Sequence, residues 1–197
     1  MKHPESTKNS TGRTATNEEY LLAVTVGERE PLNGSIYLAP YDPGWTAQFS
    51  QQADRIRAAL AEKVLRLEHV GSTAVLGLSA KPIIDMVLAV ANSADELSYV
   101  PPLEKQGFVL RIREPDWFEH RLLKAPDIDA NLHVFSIGCE EIDRMVTFRD
   151  WLQTHDEDRR RYEKTKRELA ARTWKHVQNY ADAKSEIVRE ILARALG

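Results

Sequence analysis

The segment from Ile83 to Val90 is apolar at every position except Asp85, and no other stretch of the chain limits the fold as strongly. A continuous apolar run of this length reads as a strand buried on both faces. An unpaired carboxylate in such surroundings costs on the order of several kcal/mol. Asp85 therefore requires a metal, a cation or hydrogen-bond donors, with Lys81 and Arg121 as candidate cations for a structural ion pair.

The flanking text supplies the other elements. Ser35 to Ala39 reads as a short strand, and Tyr41-Asp-Pro-Gly-Trp45 as a turn into a helix that runs to about Lys63, with Phe49, Ala53, Ile56 and Leu60 at spacings of three and four on its inner face. Val64 to Val70 is a predicted strand, and Gly71 to Pro82 a loop of small residues. A capped helix start at Ser93 is interrupted by Pro101-Pro102, and a strand is expected from Phe108 to Arg113. Trp117 to Lys124 and Asn131 to Ile137 form a predicted long hairpin. After Gly138 the chain carries helix formers without proline, predicting helices over Ile142 to His155, Glu157 to Val177 and Tyr180 to Leu196. The order implies an α+β (mixed α/β) domain with a C-terminal helical block. Residues 1–17 are too polar to repay the entropy of ordering and read as a disordered tail. Residues 18–35 read as an N-terminal arm and 36–197 as a single domain, capped by the helices of 138–197.

Composition removes several function classes. Twenty-seven Lys and Arg against 30 Asp and Glu give a formal charge of -3, without the basic excess that marks binding to duplex nucleic acid or an anionic membrane. From Cys139 onward thirteen basic residues nearly balance twelve acidic ones, as on a solvated helical surface. A single cysteine precludes an internal disulfide and any cysteine-rich zinc site. No apolar run is long enough to span a bilayer, and the N-terminus lacks the apolar middle of a signal peptide. A cytoplasmic protein is the expectation.

Chemistry concentrates in His69-Val-Gly-Ser-Thr and the following loop to Asp85. Gly71 lets backbone approach a ligand closely, Ser72 and Thr73 offer hydroxyls and amides to phosphate, and Lys81 adds charge. The pattern is not a Walker A loop, because Leu78-Ser79 stands where Lys-Ser/Thr would be required. His133 shares a strand face with Asn131 and Phe135, a placement that suits either a half-buried hydrogen-bonded histidine or a proton-transfer role. Arg121 would bind phosphate or pair with Glu119, and His120 points to the face opposite Arg121. In the helical block Tyr162 with Lys166, and Tyr180 with Lys184, are each four apart on a common helix face. Together with Arg149 these lysines are candidates to line a cleft that holds an anion.

These ordered motifs resemble the GrpB family, small bacterial proteins that also occur fused to dephospho-CoA kinase. The resemblance covers Ile36 to Leu196 and rests on Tyr41-Asp-Pro-Gly-Trp45, Glu68-His-Val-Gly-Ser-Thr-Ala-Val75, Gly77 to Asp85, Asn131-Leu-His-Val134, Phe148-Arg-Asp-Trp-Leu152 and the two Tyr/Lys pairs. Leu76 stands where the family usually has Pro, and Gln153 where it has Arg. The resemblance implies a nucleotidyltransferase-like mixed sheet with the Gly-Ser loop at the nucleotide and a metal-binding carboxylate on the next strand. It implies Mg2+ or Mn2+ at Asp85, with Gly71 and Ser72 holding the triphosphate, Lys81 and Arg121 neutralising charge and His133 orienting or deprotonating an acceptor. Active nucleotidyltransferases carry paired acids on that strand and a third on a later one. Here Ile83 occupies the partner position. The functional expectations are nucleotidyl transfer to a small molecule or protein, or a non-catalytic pocket or accessory domain for a nucleotide, a CoA-like compound or another small anion.

Overall fold

The computed structural model describes residues 18–28, 36–174 and 177–197. The expected tail at 1–17 lies outside the described residues, as does the arm beyond Glu28. The part of the arm that is described forms a helix, α1 (Glu18–Val24), which buries Leu21 and Val24 and leads to a single bridge between Thr25 and Ile112.

Helix α2 (Gly44–Leu60) begins where the sequence predicts, with Asp42 Oδ1 accepting from the Gly44 amide at 2.8 Å. Its inner face buries Trp45, Ala53, Ile56 and Leu60. Strands β1 (Arg66–Val70), β2 (Ile84–Val90), β3 (Val109–Glu114), β4 (His120–Lys124) and β5 (Ala130–Ser136) form a five-stranded mixed sheet in the order β1-β2-β5-β4-β3. Only β2 and β5 run parallel, and the other neighbours are antiparallel. The short helix α3 (Val100–Glu104) starts at the Pro101-Pro102 pair, which a first helical turn tolerates. The C-terminal block is α4 (Glu140–Thr154), α5 (Asp156–Ala170), α6 (Val177–Ala183) and α7 (Ser185–Leu196).

Several boundaries differ from the sequence expectation: the helix expected from Ser93 does not start there, since the chain turns at Ser93 and Ala94 and the helix begins at Val100. Ile36 to Ala39 is extended but pairs only through one bridge, Ala39 to Ala80, so no strand forms there. β4 begins at His120 rather than Trp117, because Phe118 and Glu119 take φ values of 53° and 51°, which turn the chain instead of extending it. The predicted helix over Glu157 to Val177 ends at Ala170, and a separate helix follows at Val177.

The sheet has two unlike faces. Ile84, Met86, Leu88 and Val90 of β2 join Leu132, Val134 and Leu123 in the principal core beneath α2 and α3. On the opposite face Val70, Val87, Ala89 and Phe135 pack with Trp117 and Ile142 of α4. Asp85, Asn131, His133 and His120 also belong to that second face, so polar groups collect where the helical block leaves the sheet uncovered. No described helix is long and apolar enough to cross a membrane.

Candidate functional site

A cleft of about 390 Å³ lies between this second sheet face and the C-terminal helices. Its floor is the turn Gly71 to Thr73 with Asp85, Asn131 and His133, and its far wall includes Phe148, Tyr162, Lys166, Tyr180 and Lys184.

Gly71 and Asp85 are fitted to each other. Gly71 has φ 71° and ψ -170°, a region open to glycine alone. A Cβ there would stand 2.6 Å from Asp85 Oδ2. The other carboxylate oxygen, Oδ1, accepts from Asn131 Nδ2 at 2.7 Å, and His133 Nε2 stands 3.9 Å from the same oxygen. Parallel pairing produces this arrangement, since Asp85 is in register with Asn131 and Val87 with His133. Burial pushes the Asp85 carboxyl up, but the imidazole of His133, the Asn131 amide and the charge of Lys184 together pull it down further, to below the usual range. The sequence demand for a donor on Asp85 is met by Asn131, with His133 close by, and not by an ion pair to Lys81 or Arg121.

His133 heads a buried chain. Its Nδ1 is 3.0 Å from Nε2 of His120, whose Nδ1 is 2.7 Å from Oε2 of Glu114, and Glu114 Oε1 accepts from the Tyr20 hydroxyl. The side chains of His120 and Glu114 are 2% and 0% exposed, against 17% for His133. Trp117 packs edge-on against His120, and Phe135 stacks on it at 4.8 Å between centroids.

The cleft also gathers three lysines that make no direct ion pair with a carboxylate among the described residues: Lys81, Lys166 and Lys184 all line it. Burial, reinforced by Lys184, pushes Lys81 below the usual lysine range. Burial, with Lys184 and Arg167 adding to it, lowers Lys166 to about 7. Lys166 Nζ donates to the Ser79 carbonyl and lies over the Tyr162 ring at 4.9 Å, while Lys184 Nζ lies over Tyr180 at 4.7 Å. Each lysine thus leans on the tyrosine four residues before it, as the helical spacing predicts.

Of the residues singled out from sequence, Gly71, Ser72, Thr73, Lys81, Asp85, His133, Lys166 and Lys184 converge on the one cleft. Arg121 and Arg149 do not. Arg121 is on the core side of β4, where its Nε donates to Glu96 at 2.6 Å and its Nη1 to the Glu119 carbonyl at 2.9 Å. Arg149 binds Glu68 Oε2 at 2.9 Å and the His69 carbonyl at 2.7 Å, fastening α4 to the end of β1. Their roles are structural pairing rather than lining. Thr73 serves the loop as well as the cleft, donating to the Ile83 carbonyl and facing His69 Nε2, each at 3.1 Å. Gln153 Nε2 donates to the Ala74 carbonyl at 3.1 Å, so this departure from the family pattern still pins the loop. Sequence reasoning missed Glu114, His120 and Tyr20 as members of the site. The available signal was strand alternation, which sets His120 opposite Arg121, but the chain gives no hint that β4 lies beside β5 with those faces aligned.

The donor set does not fit a two-magnesium centre. Magnesium prefers oxygen ligands in an octahedral shell. Asp85 spends one oxygen on Asn131 and holds the other against Gly71, its nearest neighbour of interest is a nitrogen, and no group of three or more His, Cys, Asp or Glu among the described residues is placed to hold a metal ion.

The sequence profile described as GrpB protein matches residues 35–194. A UPF0157 protein of Halalkalibacterium halodurans is 58% identical over 188 residues, covering 95% of this chain and 96% of that one. A UPF0157 protein of Streptomyces coelicolor is 38% identical over 187 residues, with 95% and 96% covered. A dephospho-CoA kinase of Mycolicibacterium paratuberculosis is 28% identical over 204 residues, covering 88% of this chain but 49% of the kinase. Among solved structures, the crystal structure of conserved protein GrpB from Enterococcus faecalis superposes with a TM-score of 0.67 at 26% identity, over 82% of this chain and 100% of that one.

Proposed function

The chain belongs to the GrpB family, and from that premise we propose that its cleft binds a phosphorylated small molecule, a nucleotide or CoA-like compound. One observation carries this reading: three lysines, Lys81, Lys166 and Lys184, line a single cleft without carboxylate partners among the described residues. Gathering like charges in a partly dry site is unfavourable until an anion arrives to offset them. The Gly71 to Thr73 turn adds backbone amides and hydroxyls beside these cations, the donors that phosphate oxygens accept from.

The test is a melting-temperature panel of nucleoside triphosphates, CoA and dephospho-CoA, each with and without Mg2+ or Mn2+. A ligand at about 100 times its dissociation constant stabilises the fold by roughly 2.7 kcal/mol. Lys81→Ala and Lys184→Ala are each expected to weaken the responding ligand about tenfold, the size of one lost charged hydrogen bond. No shift with any member of the panel would refute the reading.

A second reading, nucleotidyl transfer to an acceptor hydroxyl, is favoured by the juxtaposition of His133 and Asp85 in the same cleft. It requires a nucleotidylated product that Asp85→Asn abolishes while the ligand-induced melting shift survives. Asp85→Asn that lowers stability and leaves product and ligand response unchanged would make the carboxylate structural.

A further inference from the structure

We infer that Glu114, His120 and His133 form a proton relay whose working end is His133 Nε2, presented to the cleft as a general base for a hydroxyl, either the ligand's own or that of water. The hydroxyl's location beside a phosphorylated ligand rests on the binding reading above; the relay itself does not.

The inference follows from counting protons along the chain of contacts. Glu114 is 1% exposed, accepts the Tyr20 hydroxyl on one oxygen and meets His120 Nδ1 with the other at 2.7 Å. With the Tyr20 hydroxyl donating to one oxygen and a ring nitrogen at the other, we take this carboxyl as ionised and an acceptor only. His120 must then carry its proton on Nδ1. A neutral imidazole has one donor and one acceptor nitrogen, so His120 Nε2 is an acceptor. It faces His133 Nδ1 at 3.0 Å, and His133 must therefore donate from Nδ1. The remaining nitrogen, His133 Nε2, is left with a bare lone pair directed at the cleft.

Two further observations agree with this assignment. His133 Nε2 and Asp85 Oδ1 stand 3.9 Å apart, beyond direct hydrogen-bond length, so Nε2 stays open to a hydroxyl in the cleft. The rings are also fixed: His120 is stacked with Phe135, wedged by Trp117 and nearly coplanar with His133, at 22° between planes and 5.2 Å between centroids. A ring held in this way does not rotate to exchange its nitrogens.

When a hydroxyl in the cleft docks against His133 Nε2, its O–H bond breaks, the proton forms the new Nε2–H bond, and the electron pair stays on the oxygen as a nucleophile. The imidazolium so formed faces the Asp85 carboxylate, which compensates its charge, and Glu114 does the same through His120. No metal is needed for this proton transfer, which accords with a donor set unsuited to two magnesium ions. His133 is the catalytic residue in this scheme, and His120 and Glu114 are positioning residues.

The test uses the full chain labelled with nitrogen-15, in which long-range proton–nitrogen spectra report the protonated nitrogen of each histidine. The expected result is Nδ1–H on both His120 and His133 with His133 Nε2 bare. Glu114→Gln offers His120 an amide that can donate as well as accept, so both tautomers of His120 should appear. Carbethoxylation of His133 by diethyl pyrocarbonate, read by peptide mass spectrometry at mildly alkaline pH, should slow in that variant to the fraction of molecules that keep the Nδ1–H tautomer of His133. Finding the proton on Nε2 of either histidine in the wild type would overturn the relay, and this measurement needs no variant to fold. An unchanged carbethoxylation rate in a folded Glu114→Gln protein would overturn it also. ATP that fails to protect His133 from the reagent, with the tautomers as expected, would count against the binding reading and not against the relay.

Discussion

Replacing Gly71 by alanine tests the fit between the loop and Asp85 most directly. Two costs combine. A non-glycine residue at φ 71°, ψ -170° carries about 1–3 kcal/mol of backbone strain. The added Cβ would also lie 2.6 Å from Asp85 Oδ2, closer than any real contact, so the carboxylate must move. Movement sacrifices the 2.7 Å bond from Asn131, and a hydrogen bond to a charged group contributes about 1.5–3 kcal/mol. The expected loss is about 2.5–6 kcal/mol, which for a chain of this length lowers Tm by roughly 5–24 °C. Urea denaturation of Gly71→Ala, Asp85→Ala and the double variant separates the two costs. In the Asp85→Ala background the 2.6 Å clash with the carboxylate disappears and only a 3.1 Å approach to the Cβ of residue 85 remains, so the loss should fall to little more than the strain of about 1–3 kcal/mol. An equal loss in both backgrounds would show that the carboxylate is not held against the loop, and no loss in either would refute the backbone argument as well.

Other consequences concern buried charges. Lys166, lowered to about 7 from an ordinary 10.5, binds fewer protons in the folded chain than in the unfolded one between those values. Its contribution makes stability rise with pH across that window, by at most about 1.4 kcal/mol per pH unit, and Lys166→Met should remove that slope from urea denaturation curves. His69, lowered by burial to about 4 from 6.5, likewise resists protonation in the fold, so stability falls as pH drops from 6.5 toward 4. His69→Gln should flatten that acid limb; an unchanged limb would mean another group titrates there. Arg149→Ala should cost about 1–3 kcal/mol through loss of its bonds to Glu68 and the His69 carbonyl. It should leave the ligand-induced melting shift unaltered, and a lost shift would return Arg149 to the cleft. Arg121→Ala should behave in the same way, because its partners are Glu96 and Glu119, neither of which lines the cleft.

What the sequence made legible was local chemistry under strong constraint. The apolar run around Asp85 announces both a central strand and a carboxylate in need of partners, and the Gly71 turn announces close backbone approach. The Tyr/Lys spacing on α5 and near the end of α6 foretells the contacts at 4.9 Å and 4.7 Å, since helical geometry alone brings such pairs together. What escaped depends on which strands become neighbours. Arg121 and His120 are adjacent in sequence and equally plausible as site residues, yet they occupy opposite faces, and only the order of the sheet decides which face receives the cleft. Glu114 and Tyr20 lie six and 100 residues from His120, respectively, and reach it only because β3 pairs with β4 and α1 packs beside β3. No periodicity encodes such long-range polar contacts.

The placement of the cleft within the sheet follows from the same topology. In open parallel sheets ligands gather outside the carboxyl ends of the strands. Here Asp85 and Asn131 lie near the amino ends of β2 and β5, opposite Val70 at the carboxyl end of β1. The antiparallel β1–β2 pair accounts for the difference: the chain leaves β1 through the Gly71 turn on the edge where β2 later enters, so loop donors and strand carboxylate share one end. That end lacks the crossover helix a parallel pair would place after each strand, and the void is walled by α5, α6 and α7, which carry Lys166 and Lys184. The cations of the cleft thus come mainly from the helical block, and its acid and imidazoles from the sheet. A ligand seated between them would span both layers, so binding should stiffen the contact of α5 and α6 with the sheet as well as fill the pocket.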